Sequence, residues 1–242
     1  MSNREILKKL IFNKYKIKKH IYSSGLASVY EGINIKDKTP VVVKLENRKS
    51  KYNVLKSEAF LLMNLKGFGI PKIISYGICG LYNVLIEELL GKSINSILKT
   101  IKEKKFNLKD ICMMAIQSLE RLEYIHSKLV IHRDIKPDNL VIGRNDPNII
   151  YLIDFGLARK YRSSRTGKHI KFNNLKLTYG SLRYLSINGN KGYEQSRRDD
   201  LASLGYMLIF LATGNLPWIK MEKMEMDIVK KNIVLPIRLN KL

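Results

Sequence analysis

The sequence predicts an α+β protein of two lobes, a β-rich N-terminal lobe followed by a helical C-terminal lobe. Three observations carry that expectation. A β-branched run, Val41-Val42-Val43, sits among other short strand-like segments between residues 15 and 86. After Gly91 the apolar residues take up a helical period, with a long candidate helix over Leu108–Ser127. Within this second half, the polar loop His132-Arg133-Asp134-Ile135-Lys136-Pro137-Asp138-Asn139 is pinned between the apolar stretches 122–131 and Leu140-Val141-Ile142. Such a loop, rich in ionisable groups and held by core sequence on both sides, reads as a site and not a linker.

Residues 1–14 read as a basic N-terminal extension, with 1–12 forming a helix or a loose arm. The N-terminal lobe and hinge then span 15–91. Tyr15-Lys16-Ile17 opens the strand pattern and leads to Ile21-Tyr22, the small-residue cluster Ser23-Ser24-Gly25 and the run 27–33. A turn at 37–40 precedes the buried strand 41–45. Residues 54–65 place Val54, Leu55, Phe60, Leu61, Leu62 and Leu65 at helical spacing. Two more strands are expected near 72–76 and 82–86, and a hinge near 88–91. The C-terminal lobe spans 92–242 and opens with a short amphipathic helix over 94–101. The helix at 108–127 sets Ile111, Ala115, Leu119, Leu122 and Ile125 along one face, with Asn107 or Asp110 as its cap. Residues 199–212 are apolar enough to be enclosed on all sides. Only 24 residues follow Trp218. This lobe is therefore expected to be incomplete, with apolar surface left for a partner to cover.

The chain is 45% hydrophobic and 27% charged, ordinary for a protein that buries a core. Its charge balance is not ordinary: 44 Lys plus Arg stand against 21 Asp plus Glu, a net +23. The lysines are spread along the whole length. That favours a solvated basic surface first, acidic or phosphorylated protein substrates second and nucleic acid last. Cys79 and Cys112 lie far apart in apolar contexts. They read as buried thiols of an intracellular protein, cytoplasmic or nuclear, and not as a disulfide or a metal site. The charged N-terminus does not read as a secretory signal. No stretch reaches the ~18 apolar residues of a membrane span.

After Asn139, at the end of the apolar run 149–153, stands Asp154-Phe155-Gly156. A loop H-R-D-x-x-x-x-N followed by D-F-G is the phosphoryl-transfer pattern of protein kinases. Either triplet alone is a weak signal, whereas their order and spacing together are strong. Longer stretches extend it: VVVKLE at 41–46, YNVLIEELLG at 82–91, YLIDFGLARKYR at 151–162, SING at 186–189 and EQSRRDDLASLGY at 194–206. On these residues the chain resembles the casein kinase 1 family of protein kinases. Ser-Ile-Asn at 186–188, where most protein kinases carry Ala-Pro-Glu, is a mark of that family. The resemblance runs from about Tyr15 to Trp218 and implies a bilobal protein-kinase-like fold. It also implies transfer of the ATP γ-phosphate to serine or threonine hydroxyls with Mg2+.

The resemblance implies roles residue by residue. Asp134 is the catalytic base that accepts or orients the substrate hydroxyl proton. Lys136 lies against the transferring phosphate, which favours serine/threonine over tyrosine substrates. Asn139 and Asp154 hold Mg2+, an ion suited to hard oxygen ligands. Lys44 grips the α/β-phosphates and pairs with Glu58 on the helix at 54–65. Asp200 anchors the backbone of the catalytic loop. His132 and Phe155 read as packing elements, and Arg133 contacts backbone or an anion. Ser23, Ser24, Gly25, Ala27 and Val29 form the lid over ATP, and Glu88 and Leu90 meet adenine at the hinge. Arg183 matches an anion-binding position near the substrate cleft, with Arg162, Arg165 and Lys171 near it in sequence. That suits acidic or already phosphorylated substrates.

Two local departures stand out beside the short C-terminal lobe. The G-x-G-x-x-G positions of the lid fall on Tyr22, Ser24 and Ala27, leaving Gly25 as the lid's glycine. The residue before the hinge is Glu87, where the family has an apolar residue. A carboxylate there either takes Lys44 or water as a partner, takes up a proton, or is turned outward by a shifted strand register. These departures keep open a second reading, a catalytically impaired scaffold that binds nucleotide or a partner.

Overall fold

The computed structural model describes residues 9–219, 221, 229 and 230. The expected arm at 1–12 and the tail after Trp218 therefore lie largely outside the described residues. Five antiparallel strands build the N-terminal lobe: β1 (Tyr15–Ser23), β2 (Ser28–Asn34), β3 (Pro40–Asn47), β4 (Ile73–Cys79) and β5 (Tyr82–Glu88). Their spatial order is β1-β2-β3-β5-β4. Period-2 alternation gives the sheet two distinct faces. Val41, Val43, Leu45, Val84 and Ile86 pack on one face with Tyr15, Ile17 and Ile11. Ile11 is wholly buried there and forms a bridge with Tyr15, so the segment just ahead of β1 is docked on the sheet. The other face receives helix α1 (Val54–Asn64), which sits between β3 and β4 in the chain.

Beyond the hinge come α2 (Ile94–Thr100), α3 (Leu108–Ser127), β6 (Val130–Ile131), β7 (Leu140–Ile142), β8 (Ile150–Leu152), β9 (Arg159–Lys160), α4 (Ile187–Asn190) and α5 (Arg197–Thr213). The short strands pair as β6–β9 and β7–β8. The polar loop 132–139 thus hangs between β6 and β7, and Asp154-Phe155-Gly156 follows β8 directly. Helices α3 and α5 pack against each other beneath these strands, and Leu122, Ile125, Leu204, Met207 and Leu211 join the main core. The bilobal architecture expected from the sequence is the one observed.

Several local expectations are corrected. The inner face of α3 runs through Ile111, Met114, Ser118, Arg121, Leu122 and Ile125. Leu119 is 47% exposed. A step of three residues from Ile111 turns the buried stripe past Ala115 and Leu119. The same rotation leaves Cys112 exposed, and Cys79 is half-buried, so neither is a fully buried thiol. Helix α5 is not enclosed on all sides, since Leu201 and Ile209 are exposed. Phe60 on α1 also faces outward. Of the two candidate caps for α3, Asn107 does the work, its side chain accepting the Asp110 amide at 2.9 Å.

The start of α1 is held from another element. Asn53 takes a left-handed conformation and offers no side-chain cap. The buried carboxylate of Glu46, at the end of β3, accepts the amides of Val54 at 2.6 Å and Leu55 at 3.4 Å. It also accepts Asn83 Nδ2 at 3.1 Å. Negative charge at a helix N-terminus is favourable, and here it fixes α1 against the sheet. Glu46→Ala strands these donors and is expected to cost about 2–3 kcal/mol. The check is a lower denaturant midpoint at unchanged m-value; an unchanged midpoint counts against this role.

Candidate active site

The N-terminal half of the site is a buried charge cluster on the inner face of the sheet. Lys44 on β3 donates to Glu58 Oε1 on α1 at 2.7 Å. The same Glu58 oxygen accepts the Phe155 amide at 3.0 Å. One carboxylate, 1% exposed, therefore ties β3, α1 and the Asp154-Phe155-Gly156 segment together. Glu87 faces inward, with Oε2 3.1 Å from Lys44 Nζ, so the outward-turned alternative is excluded. Burial would depress the Lys44 pKa, but Glu58, Glu87 and Asp154 outweigh it and raise it. Burial pushes Glu58 up to about 8, against the pull of Lys44, and pushes Glu87 upward as well.

The C-terminal half is organised by Asp200, near the start of α5. Its Oδ2 accepts the His132 amide and its Oδ1 the Arg133 amide, each at 2.9 Å. His126 Nε2 lies 2.9 Å from the same Oδ2. The His132 ring packs edge-on against Phe155, with centroids 5.0 Å apart, and its Nε2 meets the Ile153 carbonyl oxygen at 3.0 Å. Arg133 Nε donates to the Leu157 carbonyl at 2.6 Å, a backbone contact as expected.

The Asp134 carboxylate is held on both oxygens. Oδ1 accepts the Ser181 amide at 2.9 Å and its hydroxyl at 2.8 Å. Oδ2 accepts Lys136 Nζ at 2.6 Å and Asn139 Nδ2 at 3.1 Å. Burial alone would raise its pKa, but the Lys136 charge and the bonds from Lys136 and Ser181 hold it below the usual value. Asp134 is thus an ionised acceptor at neutral pH. Gly180, just before Ser181, adopts φ +100°, and a Cβ there would lie 2.3 Å from the Arg133 carbonyl oxygen.

Asp154 begins a 3-10 turn (Phe155–Leu157) with φ 65°, its Oδ1 accepting the Gly156 amide at 3.4 Å. Asn139 uses its amide nitrogen on Asp134, which leaves its amide oxygen for another group. An amide oxygen and a carboxylate are hard donors, and the pair fits Mg2+. Among the described residues no group of three or more His, Cys, Asp or Glu forms an alternative metal site.

The lid is closed on itself. Ser24 Oγ accepts the amides of Leu26 at 3.2 Å and Ala27 at 3.1 Å, donors that a phosphate would otherwise use. Tyr22 reaches across the cleft, its hydroxyl 3.4 Å from Asp154 Oδ2. Burial and the Asp154 charge push the Tyr22 pKa upward. Ser23 Oγ bonds Ser28 Oγ at 2.9 Å, and Val29 is buried opposite Lys44. At the hinge, the Glu88 carboxylate accepts the Lys72 amide at 2.7 Å. Glu88, Leu89 and Leu90 line a cavity of about 320 Å³ that contains none of Lys44, Asp134 or Asp154.

The structure brings Lys44, Glu58, Asp134, Lys136, Asn139 and Asp154 into two adjoining clusters. Arg183 stands differently: it is exposed, and its guanidinium lies over the rings of Phe210 at 5.6 Å and Tyr184 at 6.0 Å. Arg162, Arg165 and Lys171 are exposed on the loop that follows β9. Sequence reasoning gave no role to Ser181, Glu46 or Glu194. Glu194 accepts Arg159 Nη1 at 2.9 Å and lies 3.7 Å from Arg133, so it neutralises two clustered cations. Its place as the first residue of the EQSRRDD stretch was the available signal. For Ser181 the signal was only its position after a glycine.

Two outcomes follow from this geometry. Asp200→Asn puts an amide NH2 against a backbone N–H of the loop and is expected to destabilise the chain by about 3 kcal/mol, read by urea unfolding. The pH dependence comes from the Lys44 cluster. A carboxylate whose folded pKa is raised keeps a proton that the unfolded chain has lost. The stability it contributes is full below the ordinary value of 4.5 and is lost as pH rises toward about 8. The melting temperature should therefore fall between about pH 5 and pH 8. A steady rise over that window would contradict the assignment.

A family model, protein kinase domain, matches residues 15–240. The match takes in both lobes and extends past Trp218, where the resemblance read from the sequence stops. With so much of its length covered, the chain belongs to the protein kinase domain family.

Proposed function

We propose that the chain is a serine/threonine protein kinase of casein kinase 1 type that prefers acidic or already phosphorylated protein substrates. Its family implies transfer of the ATP γ-phosphate to proteins with Mg2+. The single observation that carries the finer reading is Lys136 Nζ, 2.6 Å from Asp134 Oδ2. That bond sets a cation beside the base, where charge develops on the transferring phosphate.

Asp134 orients the incoming hydroxyl and accepts its proton through an oxygen already ordered by Ser181 or Lys136. Because the four donors to Asp134 are supplied by the loop itself and by Ser181, little reorganisation is needed at the moment of transfer. Lys44 holds the α/β-phosphates and is itself held by Glu58. Asn139 and Asp154 are the residues that would hold Mg2+, which when bound offsets phosphate charge. The basic residues Arg183, Arg162, Arg165 and Lys171 lie in the chain on both sides of Ser181, which supports an acidic substrate.

Of the departures that keep open a scaffold without turnover, the lid bears most directly on nucleotide, since it spends its own amides on Ser24. We read that feature as weakened nucleotide grip rather than lost catalysis. Ser24→Gly is then expected to lower the KM for ATP about three- to tenfold with little change in kcat, the worth of one or two freed hydrogen bonds. Radiolabel transfer to casein, an acidic protein, tests the main reading, with phosphoamino-acid analysis of the product. Label should appear on serine or threonine, and Asp134→Asn should reduce it about 10²–10⁴-fold. Equal labelling by wild type and variant rules out this site, and label on tyrosine rules out the specificity.

A further inference from the structure

Glu87 is the one buried carboxylate of the cleft to which the mechanism above gives no role. Its placement follows from strand register. Lys44 lies opposite Val29 on β2 and Leu85 on β5, and Val42 lies opposite Glu87. Directly opposed residues on antiparallel strands share a face, as do residues two apart. Val29, Val42, Lys44, Leu85 and Glu87 therefore line one face, the one turned toward α1 and the cleft. The β3–β5 pairing runs without a bulge from Val41 to Asn47. A one-residue slip, which would turn Glu87 away, is not available to it.

Both carboxylates meet the ammonium at once, Glu58 at 2.7 Å and Glu87 at 3.1 Å. They share Lys44 and do not exclude each other. The two contacts differ in what carries them. Glu58 rides on α1, which is held to the sheet through the Glu46 cap and side-chain packing. Glu87 sits in β5, hydrogen-bonded to the strand that bears Lys44. The second contact is therefore set by strand pairing and not by the helix. It also comes at a cost, because Glu87 Oε1 is buried with no hydrogen-bond partner among the described residues. An apolar residue at this place would avoid that cost. The carboxylate is better explained by what it does to Lys44 than by what it does for folding.

We propose that Glu87 is a second positioning residue for Lys44, fixed in the sheet, that keeps the ammonium aimed into the cleft independently of α1. The inference rests on the reading of this cleft as a nucleotide site. It makes Mg·ATP binding less dependent on Glu58 than a single lysine–glutamate pair would be.

The test is calorimetric binding of Mg·ATP to the full chain, with kcat and KM measured alongside thermal unfolding. Glu58→Gln should weaken binding only about threefold, because Glu87 still holds Lys44. Glu87→Met should weaken it about tenfold while the melting temperature stays level or rises, as the unpartnered oxygen is gone. Glu87→Gln keeps an acceptor for Lys44 and should fall between wild type and Glu87→Met. It also serves if the methionine variant does not fold. The double variant Glu58→Gln/Glu87→Gln should lose clearly more than the product of the single losses. Unchanged binding in Glu87→Met shows that Glu87 does not position Lys44, and tighter binding shows that it competes for it; either overturns the proposal, as does simple additivity in the double variant. If wild type binds no Mg·ATP, the nucleotide reading falls and takes the inference with it. That outcome is distinct from wild type and Glu87→Met binding equally.

Discussion

The bond from Glu58 to both Lys44 and the Phe155 amide is the constraint on which the rest of the site depends. A buried carboxylate is costly unless its oxygens are met, and here one oxygen meets a cation from β3 and a backbone donor from the C-terminal lobe. Three elements far apart in sequence are thereby fixed relative to one another. The position of α1 is in turn set by Glu46 at its N-terminus. A chain of carboxylates, Glu46 to α1 and Glu58 to Lys44 and Phe155, thus runs from the end of the central strand to the centre of the cleft.

Asp200 does for the C-terminal lobe what Glu58 does between lobes. Its two oxygens take consecutive amides of the catalytic loop, His132 and Arg133. Arg133 has φ 68°, a conformation that a non-glycine residue holds only when its surroundings insist on it. Asp200 is buried near the start of a long helix that packs on α3, so the loop is referenced to the helical core of the lobe. Asp199 beside it accepts the Ser186 hydroxyl at 2.6 Å and the Ser196 amide at 2.7 Å, joining the SING segment to the same helix end. Asp134 inherits its order from both, and its own four donors leave it ionised.

The lid shows the opposite economy. Where small residues would leave amides free for phosphate, Ser24 folds its hydroxyl back on Leu26 and Ala27, and Tyr22 leans on Asp154. Local side-chain to backbone bonds of this kind compete with any ligand for the same donors. The rigid charge clusters and the self-satisfied lid are thus separable parts. In the function we propose, one sets the chemistry, and the other sets how easily the nucleotide is held.

Much of this was legible in the chain itself. The strand-then-helix order followed from period-2 and period-3.6 apolar patterns, and the protein kinase domain from motifs whose order leaves little freedom. A cap at Asn107 or Asp110 and Glu58 as the partner of Lys44 were readable because a charged or capping residue in an apolar stretch needs a reason. What stayed hidden depended on rotation or on distance. The α3 stripe passes through Met114 and Ser118 and leaves Leu119 in water, because a helix face is chosen by what packs on it and not by hydrophobicity alone. The direction of Glu87 needed the β3–β5 register. Ser181 on Asp134 and Glu46 on α1 each needed its own lobe folded, since no local spacing reports a hydrogen bond between residues whose neighbours are set by the fold. Sequence determined which chemical groups the chain owns and the order in which it delivers them. Tertiary structure alone decided which oxygen each donor meets, because that depends on register, helix rotation and the closure of one lobe on the other.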